Sequence, residues 1–120
     1  MPRNDDFTIS DNTVLLRAVY KDQIVKISDR DERPQSQAFR WDDQGEVSVF
    51  IWEETDLQRL IEAFPFSRIC AFTAGEARSL GYSIHRDPTE QFQSHVVMRH
   101  GEHRPRKAEK QLALLARLIT

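Results

Sequence analysis

Short apolar runs recur along the chain and predict most of its strands. Residues 14–20 combine leucine, valine and tyrosine with a single arginine, and later runs are similarly rich in β-branched and aromatic residues. Such segments, bounded by turn residues, are typical of strands. The predicted strands are residues 14–20, 23–27, 38–41, 46–52, 68–72, 82–86 and 95–100.

Turn-forming residues separate these strands. Residues 42–45 end in Gly45 and suit a type I turn that closes through a left-handed residue, which predicts a hairpin between residues 38–41 and 46–52. Residues 28–37 are charged and contain Pro34, so we expect a loop there.

Helical periodicity marks three further segments. Thr55 and Gln58 form a predicted capping box before apolar residues at helical spacing, and Pro65 ends that helix. Thr73 and Glu76 predict a second box, with Gly81 as the left-handed terminator. The carboxy-terminal helix is predicted from about residue 105 to the end of the chain. Its apolar stripe consists of Ala108, Leu112, Leu115 and Ile119.

This order of elements predicts an α+β fold. We expect a mixed or antiparallel sheet of about five to six strands covered by two to three helices, the last of them at the carboxy terminus. Residues 1–12 are polar and are predicted to form a loose arm. Residues 13–120 are predicted to form a single domain, because a chain of 120 residues can bury one core.

The net charge and its distribution along the chain bear on which kind of partner the protein could bind. The formal net charge is −2, so nucleic acid and anionic membranes are not the expected partners. Seven acids and one arginine lie in residues 41–62, whereas residues 99–110 carry five basic and two acidic residues. These segments predict either two solvated faces or, at the basic one, a patch for an anion or acidic partner. No apolar stretch is long enough for a signal or a membrane span, which predicts a cytoplasmic protein.

Cysteine and histidine usage predicts neither a metal nor a cofactor. Cys70 is the only cysteine and lies in an apolar run, where a buried, reduced thiol is expected. His100 and His103 have a spacing compatible with two ligands, with His85 and Asp87 as further candidates. A structural zinc site needs four ligands at stereotyped spacings, and no such pattern is present.

Arg17 is the residue that strand propensity explains least. An arginine in an apolar strand must either point to solvent or meet an anion. Ser36, just before residues 38–41, and His95, at the start of a strand, are the other polar residues placed for a shared site. If all three lie in one pocket, Arg17 would clamp an anion, Ser36 would orient it and His95 would act as acid or base.

Several segments, in this order, resemble a group of short bacterial proteins that carry an Arg-Pro-Ser-Ser-x-Ala-Phe motif and a late histidine before an apolar strand. Gln35 stands where that group has its first serine. The resemblance implies a bacterial origin and a compact domain from about residue 14. The matching segments are residues 15–19, 33–39, 47–49, 72–81, 87–88 and 95–97.

The order of Arg17, Ser36 and His95 is also similar to that of polar residues in small ADP-ribosyl-transferring enzymes and their tRNA phosphotransferase relatives, although the usual late glutamate is not identifiable. Two functions follow. The first is a bacterial cytoplasmic accessory domain without catalysis of its own that binds a protein partner. The alternative is a small nucleotide- or phosphate-handling enzyme using Arg17, Ser36 and His95. The sequence leaves catalysis, partner identity and oligomeric state open.

Overall fold

The computed structural model describes residues 5–42, 44–102 and 105–120, and it confirms the predicted α+β class. Six strands form one antiparallel sheet in the order β6-β7-β4-β1-β5-β8, and β2 and β3 form a separate two-stranded sheet. The strands are β1 (Val14–Tyr20), β2 (Ile24–Ser28), β3 (Asp31–Pro34), β4 (Val47–Ile51), β5 (Ser67–Thr73), β6 (Tyr82–Arg86), β7 (His95–His100) and β8 (Arg117–Leu118). The helices are α1 (Leu57–Ala63), α2 (Ala74–Ser79) and α3 (Arg106–Leu115).

Alternation along the strands gives the large sheet two buried faces. Leu15 and Phe72 face each other across β1 and β5 and pack under α3 and α2; we call this the α3 face. Leu16 and Phe50 point the other way and pack under α1, on the α1 face. Successive residues of a strand therefore point into different cores, and every second residue lies on the same face of the sheet.

The β2–β3 hairpin corrects two expectations. Residues 31–34 form a strand where a loop was predicted, and β2 pairs only with β3 rather than joining the large sheet. Pro34 is tolerated because the pair Ile24–Pro34 lies next to the bond that the Gln35 amide donates to the Gln23 carbonyl. Bonds in an antiparallel pair alternate, so Pro34 occupies a position where no amide donor is needed.

The prediction of a strand at residues 38–41 is wrong. A 3-10 turn spans Ser36–Phe39, and its Phe39 side chain packs edge-on against Phe72 with ring centroids 5.8 Å apart. The tight turn that follows does form. Gly45 has φ of 76°, and its amide donates to the Asp42 carbonyl at 3.0 Å. The strand after the turn, β4, therefore pairs with β1 and β7 rather than with residues 38–41.

The helix ends follow local capping chemistry, with two corrections. Asp56 caps α1 by accepting from two backbone amides, while the predicted cap Thr55 donates to the Ile51 carbonyl instead. The Thr73–Glu76 capping box of α2 is confirmed, as is the positive φ of Gly81. Helix α3 ends at Leu115, because the backbone of Ala116 is extended, and the chain continues as β8.

The predicted apolar stripe of the last helix is partly wrong. Ala108 and Leu112 are buried on the α3 face, but Leu115 is 39% exposed and Ile119 packs on the α1 face, beyond the helix. Ala113 and Ala116 are also buried in this core, and Glu109 is a buried charged residue of the same helix. The early end of the helix changes the periodicity from 3.6 to 2, which moves residue 119 to the other side of the sheet.

The expectation of a loose arm over residues 1–12 does not hold for residues 5–12; residues 1–4 lie outside the described part. Ile9 is buried in the α3-face core. Arg78 binds Asp5 through two nitrogens, at 2.8 and 3.2 Å, and Asp11 at 2.8 Å. Where residues 5–42, 44–102 and 105–120 are concerned, no helix is both long and apolar enough to cross a membrane.

Helix α3 offers a direct test of core packing. Leu112→Ala should lower the free energy of unfolding by about 2–5 kcal/mol, because its fully buried side chain leaves a cavity. Leu114→Ala, at a 52% exposed site of the same helix, should change it by less than about 0.5 kcal/mol. Urea unfolding of both variants gives the comparison, and equal losses would show that α3 is not seated as described.

Candidate functional site

Arg17 lies in the middle of β1 and points to the α3 face, and it forms no ion pair with a carboxylate in the part of the chain that the structure describes. Its Nε donates to the Ala38 carbonyl at 2.6 Å and its Nη1 to the Ser48 carbonyl at 2.7 Å. Burial lowers the pKa of the guanidinium. The arginine is therefore a structural cation, solvated by backbone carbonyls of the 3-10 turn and of β4.

A gap in the sheet explains why those carbonyls are available. The pairing of β1 with β4 covers Leu15–Ile51 and Leu16–Phe50 and then stops. The Ser48 carbonyl, beyond the last pair, accepts from the guanidinium instead of from a β1 amide. Arg17 thus takes over the hydrogen bonding of the ladder at the point where the two strands separate.

The structure does not bring the three sequence-predicted site residues together. Ser36 is exposed at the start of the 3-10 turn on the Arg17 side of the sheet. His95 pairs with Phe50 across β4 and β7, and its ring packs edge-on against Phe50 at 5.3 Å, so it lies on the α1 face. Arg17 and His95 are consequently separated by the thickness of the sheet.

His95 has a structural contact of its own. Its Nδ1 lies 2.7 Å from the Asp87 carbonyl and 3.4 Å from the Asp87 carboxylate. A carbonyl only accepts, so Nδ1 carries the proton in this contact. The histidine therefore ties the start of β7 to the end of β6 and holds the connecting loop closed.

Polar groups next to Arg17 stay in their neutral forms. Cys70 is the cross-strand neighbour of Arg17 and is fully buried, and burial raises the pKa of its thiol to about 12. Burial, with a contribution from Glu109, also raises the pKa of Tyr82 to about 12. The Tyr82 hydroxyl is buried and has no hydrogen-bond partner among the residues that the structure describes. Cys70 is thus a core thiol rather than a nucleophile.

A groove lies near the Val19 end of β1, between the β2–β3 hairpin and the carboxy-terminal residues. It has a volume of about 450 Å³, and cationic, acidic and apolar side chains meet in it. We call it the arginine groove. It is lined by Arg30, Asp31, Glu32, Arg33, Arg68, Leu114, Ala116, Arg117 and Leu118.

Ion pairs inside the arginine groove leave two of its arginines available. Arg68 binds Glu32 at 3.0 Å, and Arg33 lies 3.6 Å from Asp31. Arg30 and Arg117 are exposed, and their side chains form no hydrogen bond or ion pair with any part of the chain that the structure describes. Four arginines against two carboxylates leave the lining with a formal charge of +2.

Two sheet edges border the same groove. β8 is the last strand of the large sheet and pairs only with β5, and β3 pairs only with β2. Within the described residues, each of these strands is therefore hydrogen-bonded to another strand on one side only, and β3 and β8 lie against each other. Strand edges of this kind present backbone donors and acceptors to an incoming chain. The groove combines these edges with positive charge and with the 52% exposed side chain of Leu114.

Sequence reasoning missed this groove because its arginines lie far apart in the chain. Arg30, Arg33, Arg68 and Arg117 all fall outside the predicted basic segment, residues 99–110. The charged residues 29–33 pointed to this surface, but the sequence predicted a loop there rather than a hairpin. Within residues 5–42, 44–102 and 105–120, no three His, Cys, Asp or Glu side chains cluster as metal ligands, and His103 lies outside these ranges.

Comparisons of the chain with protein-family models, with curated proteins and with solved structures found no match. The function proposed below rests on the geometry and charge of the chain itself.

The role of Arg17 predicts a stability effect. Arg17→Met keeps the aliphatic stem but leaves the Ala38 and Ser48 carbonyls without their donor, so we expect a loss of about 2 kcal/mol or more. Arg40→Met, at an exposed site, is the matched control and should change stability by less than about 0.5 kcal/mol. Chemical denaturation measures the free energy of unfolding of both variants. An Arg17→Met protein as stable as the parent would contradict the structural role of Arg17.

The Tyr82 hydroxyl predicts a pH effect. In the unfolded chain tyrosine ionises near its ordinary pKa of 10.0, whereas the folded pKa is about 12, so stability present below pH 10 is lost as the pH rises towards 12. Tyr82→Phe removes this loss, so between pH 7 and pH 11 its free energy of unfolding should fall by about 1–2 kcal/mol less than that of the parent. It should also be as stable as the parent, or more stable, at pH 7, because an unpaired buried hydroxyl disappears. Urea titrations at both pH values test this, and identical pH profiles would refute it.

Proposed function

We propose that the chain is a bacterial cytoplasmic accessory domain, without catalysis of its own, that binds an acidic extended segment of a partner protein in the arginine groove. The observation that supports it most is that two exposed guanidinium groups, unpaired within the described residues, lie beside two sheet edges. Arg30 and Arg117 supply planar donors that suit carboxylates. The strand edges supply main-chain hydrogen bonds to an extended segment.

The lining favours a peptide over a nucleic-acid strand. Asp31 and Glu32 lie within the groove and would repel a continuous phosphate backbone, and the chain has a net charge of −2. Leu114 and Leu118 offer apolar contacts for alternate side chains of a strand. Acidic side chains facing the arginines and apolar ones facing the leucines would satisfy both halves of this lining.

The enzymatic alternative has no comparable support. It required Arg17, Ser36 and His95 to share one pocket, whereas Arg17 and His95 lie on opposite faces of the sheet. The guanidinium of Arg17 is already engaged by two carbonyls. No other observation assigns these three residues to a common reaction.

A peptide-library experiment tests the proposal. The probe is a library of ten-residue peptides that alternate Asp or Glu with randomised apolar residues, and the matched library carries Asn or Gln instead of the acids. The parent protein should retain the acidic library selectively, and binding should weaken as salt rises. The double variant Arg30→Glu with Arg117→Glu should lose at least about tenfold in affinity, since two charge-assisted contacts become repulsive.

Arg40→Glu is the control for this experiment, because it reverses an exposed charge outside the groove. It should bind as the parent does. Equal retention of both libraries, or equal weakening by Arg40→Glu, would overturn the proposal. Tighter binding of a single-stranded RNA oligonucleotide, with the same dependence on Arg30 and Arg117, would replace it with nucleic-acid recognition.

A further inference from the structure

A second cleft lies at the end of β1 opposite to the arginine groove. Its volume is about 470 Å³, and it is lined by Ser10, Asn12, Thr13, Val14, Trp52 and Glu53. Val14 begins β1, whereas Arg68 of the arginine groove pairs with Val19 near the end of that strand. The two sites are therefore separate, and this one, the Trp52 cleft, belongs to no function assigned above.

The Trp52 cleft is preformed on both sides. Its first wall, residues 10–13, is fastened to α2, since the amides of Ala74 and Gly75 donate to the Thr13 and Asp11 carbonyls at 2.8 and 2.9 Å. Its second wall is the 3-10 turn Trp52–Glu54, which directly follows the central strand β4. A cleft between two anchored walls needs little reorganisation to accept a ligand.

The lining of the Trp52 cleft carries an acidic side chain and polar oxygens but no basic side chain. Its charged group is the Glu53 carboxylate, which forms no ion pair with any residue in the described ranges, and none of the six lining residues is cationic. Ser10 and Thr13 add hydroxyl oxygens, which lie 3.1 Å apart, and Asn12 adds an exposed amide. The lining is thus rich in oxygen acceptors.

Trp52 completes the pattern. The residue is 37% exposed, and an indole face attracts a cation held within about 6 Å of it. A ring of this kind beside an unpaired carboxylate recognises a positive charge carried on an apolar stem, because the stem covers the indole while the charge meets the oxygens. A neutral ligand of the same shape would gain the apolar contact alone.

We infer that the Trp52 cleft binds an organic cation: an ammonium group on a short apolar chain. That chemistry occurs both in small alkylamines and in the lysine side chain of a polypeptide. Trp52 stacks on the alkyl stem and faces the charge, Glu53 pairs with the ammonium group, and Asn12 orients it.

Two-dimensional NMR of the Trp52 indole N–H, identified with a Trp41→Phe variant, measures binding to the intact chain. The probes are butylammonium and the tripeptide Ala-Lys-Ala, with 1-butanol and Ala-norleucine-Ala as their neutral counterparts. The cations should give saturable shifts with Kd of about 1–10 mM, as suits ligands of this size, and the neutral probes should bind at least about fivefold more weakly. Tighter binding of the tripeptide than of the amine would identify a protein-borne lysine as the source, and the reverse order would identify a free amine.

Glu53→Gln should raise the Kd for both cations about fivefold to tenfold and leave the neutral probes unchanged. Glu90→Gln, an exposed carboxylate outside the cleft, is the matched control and should behave like the parent protein. Trp52→Ala should abolish saturation, read from the backbone amides of residues 13 and 14. Equal affinity for cations and neutral probes, no effect of Glu53→Gln, or no saturation up to roughly 100 mM would overturn the assignment.

Discussion

The buried guanidinium of Arg17 is the interaction on which the centre of this fold depends. It stands where the β1–β4 ladder ends, and it donates to one carbonyl of β4 and to one carbonyl of the 3-10 turn Ser36–Phe39. That turn packs against α3 and carries Phe39 into the core. A cation in this position is costly to desolvate, and it is tolerated because both contacts satisfy backbone groups that would otherwise be buried without a donor.

The two edge strands of the large sheet, β6 and β8, differ in what lies against them. Along β6, the amino-terminal segment covers the edge, because the Asp6 amide donates to the Ile84 carbonyl and the Ile84 amide donates to Asp5. Along β8, the edge faces the arginine groove and the β2–β3 hairpin. The β8 edge thus lies next to exposed guanidinium groups and the β2–β3 hairpin, whereas the β6 edge is hydrogen-bonded to the amino-terminal segment.

Charge is divided between two sites at opposite ends of β1. The arginine groove carries an excess of cations, and the Trp52 cleft is lined by the Glu53 carboxylate next to Trp52. If both sites bind ligands as proposed, their opposite charges would favour the right ligand and repel the other. The acidic segment around Trp52 was visible in the sequence, while the basic groove assembles only in the folded chain, from residues up to 87 positions apart, between Arg30 and Arg117.

The sequence by itself determined the class of the fold and most of its elements. Short apolar runs predicted β1, β4, β5, β6 and β7. Capping residues such as Thr73 and terminators such as Gly81 marked the helices, because these signals act within one turn. Only the tertiary structure decided the rest. Residues 38 and 39 lie in a 3-10 turn rather than a strand, and the Ala38 carbonyl there accepts from Arg17. Arg17 and His95 lie on opposite faces because strand register sets the side of every residue. The arginine groove and the Trp52 cleft likewise join residues that are distant in sequence, so no local sequence pattern predicts that they lie together.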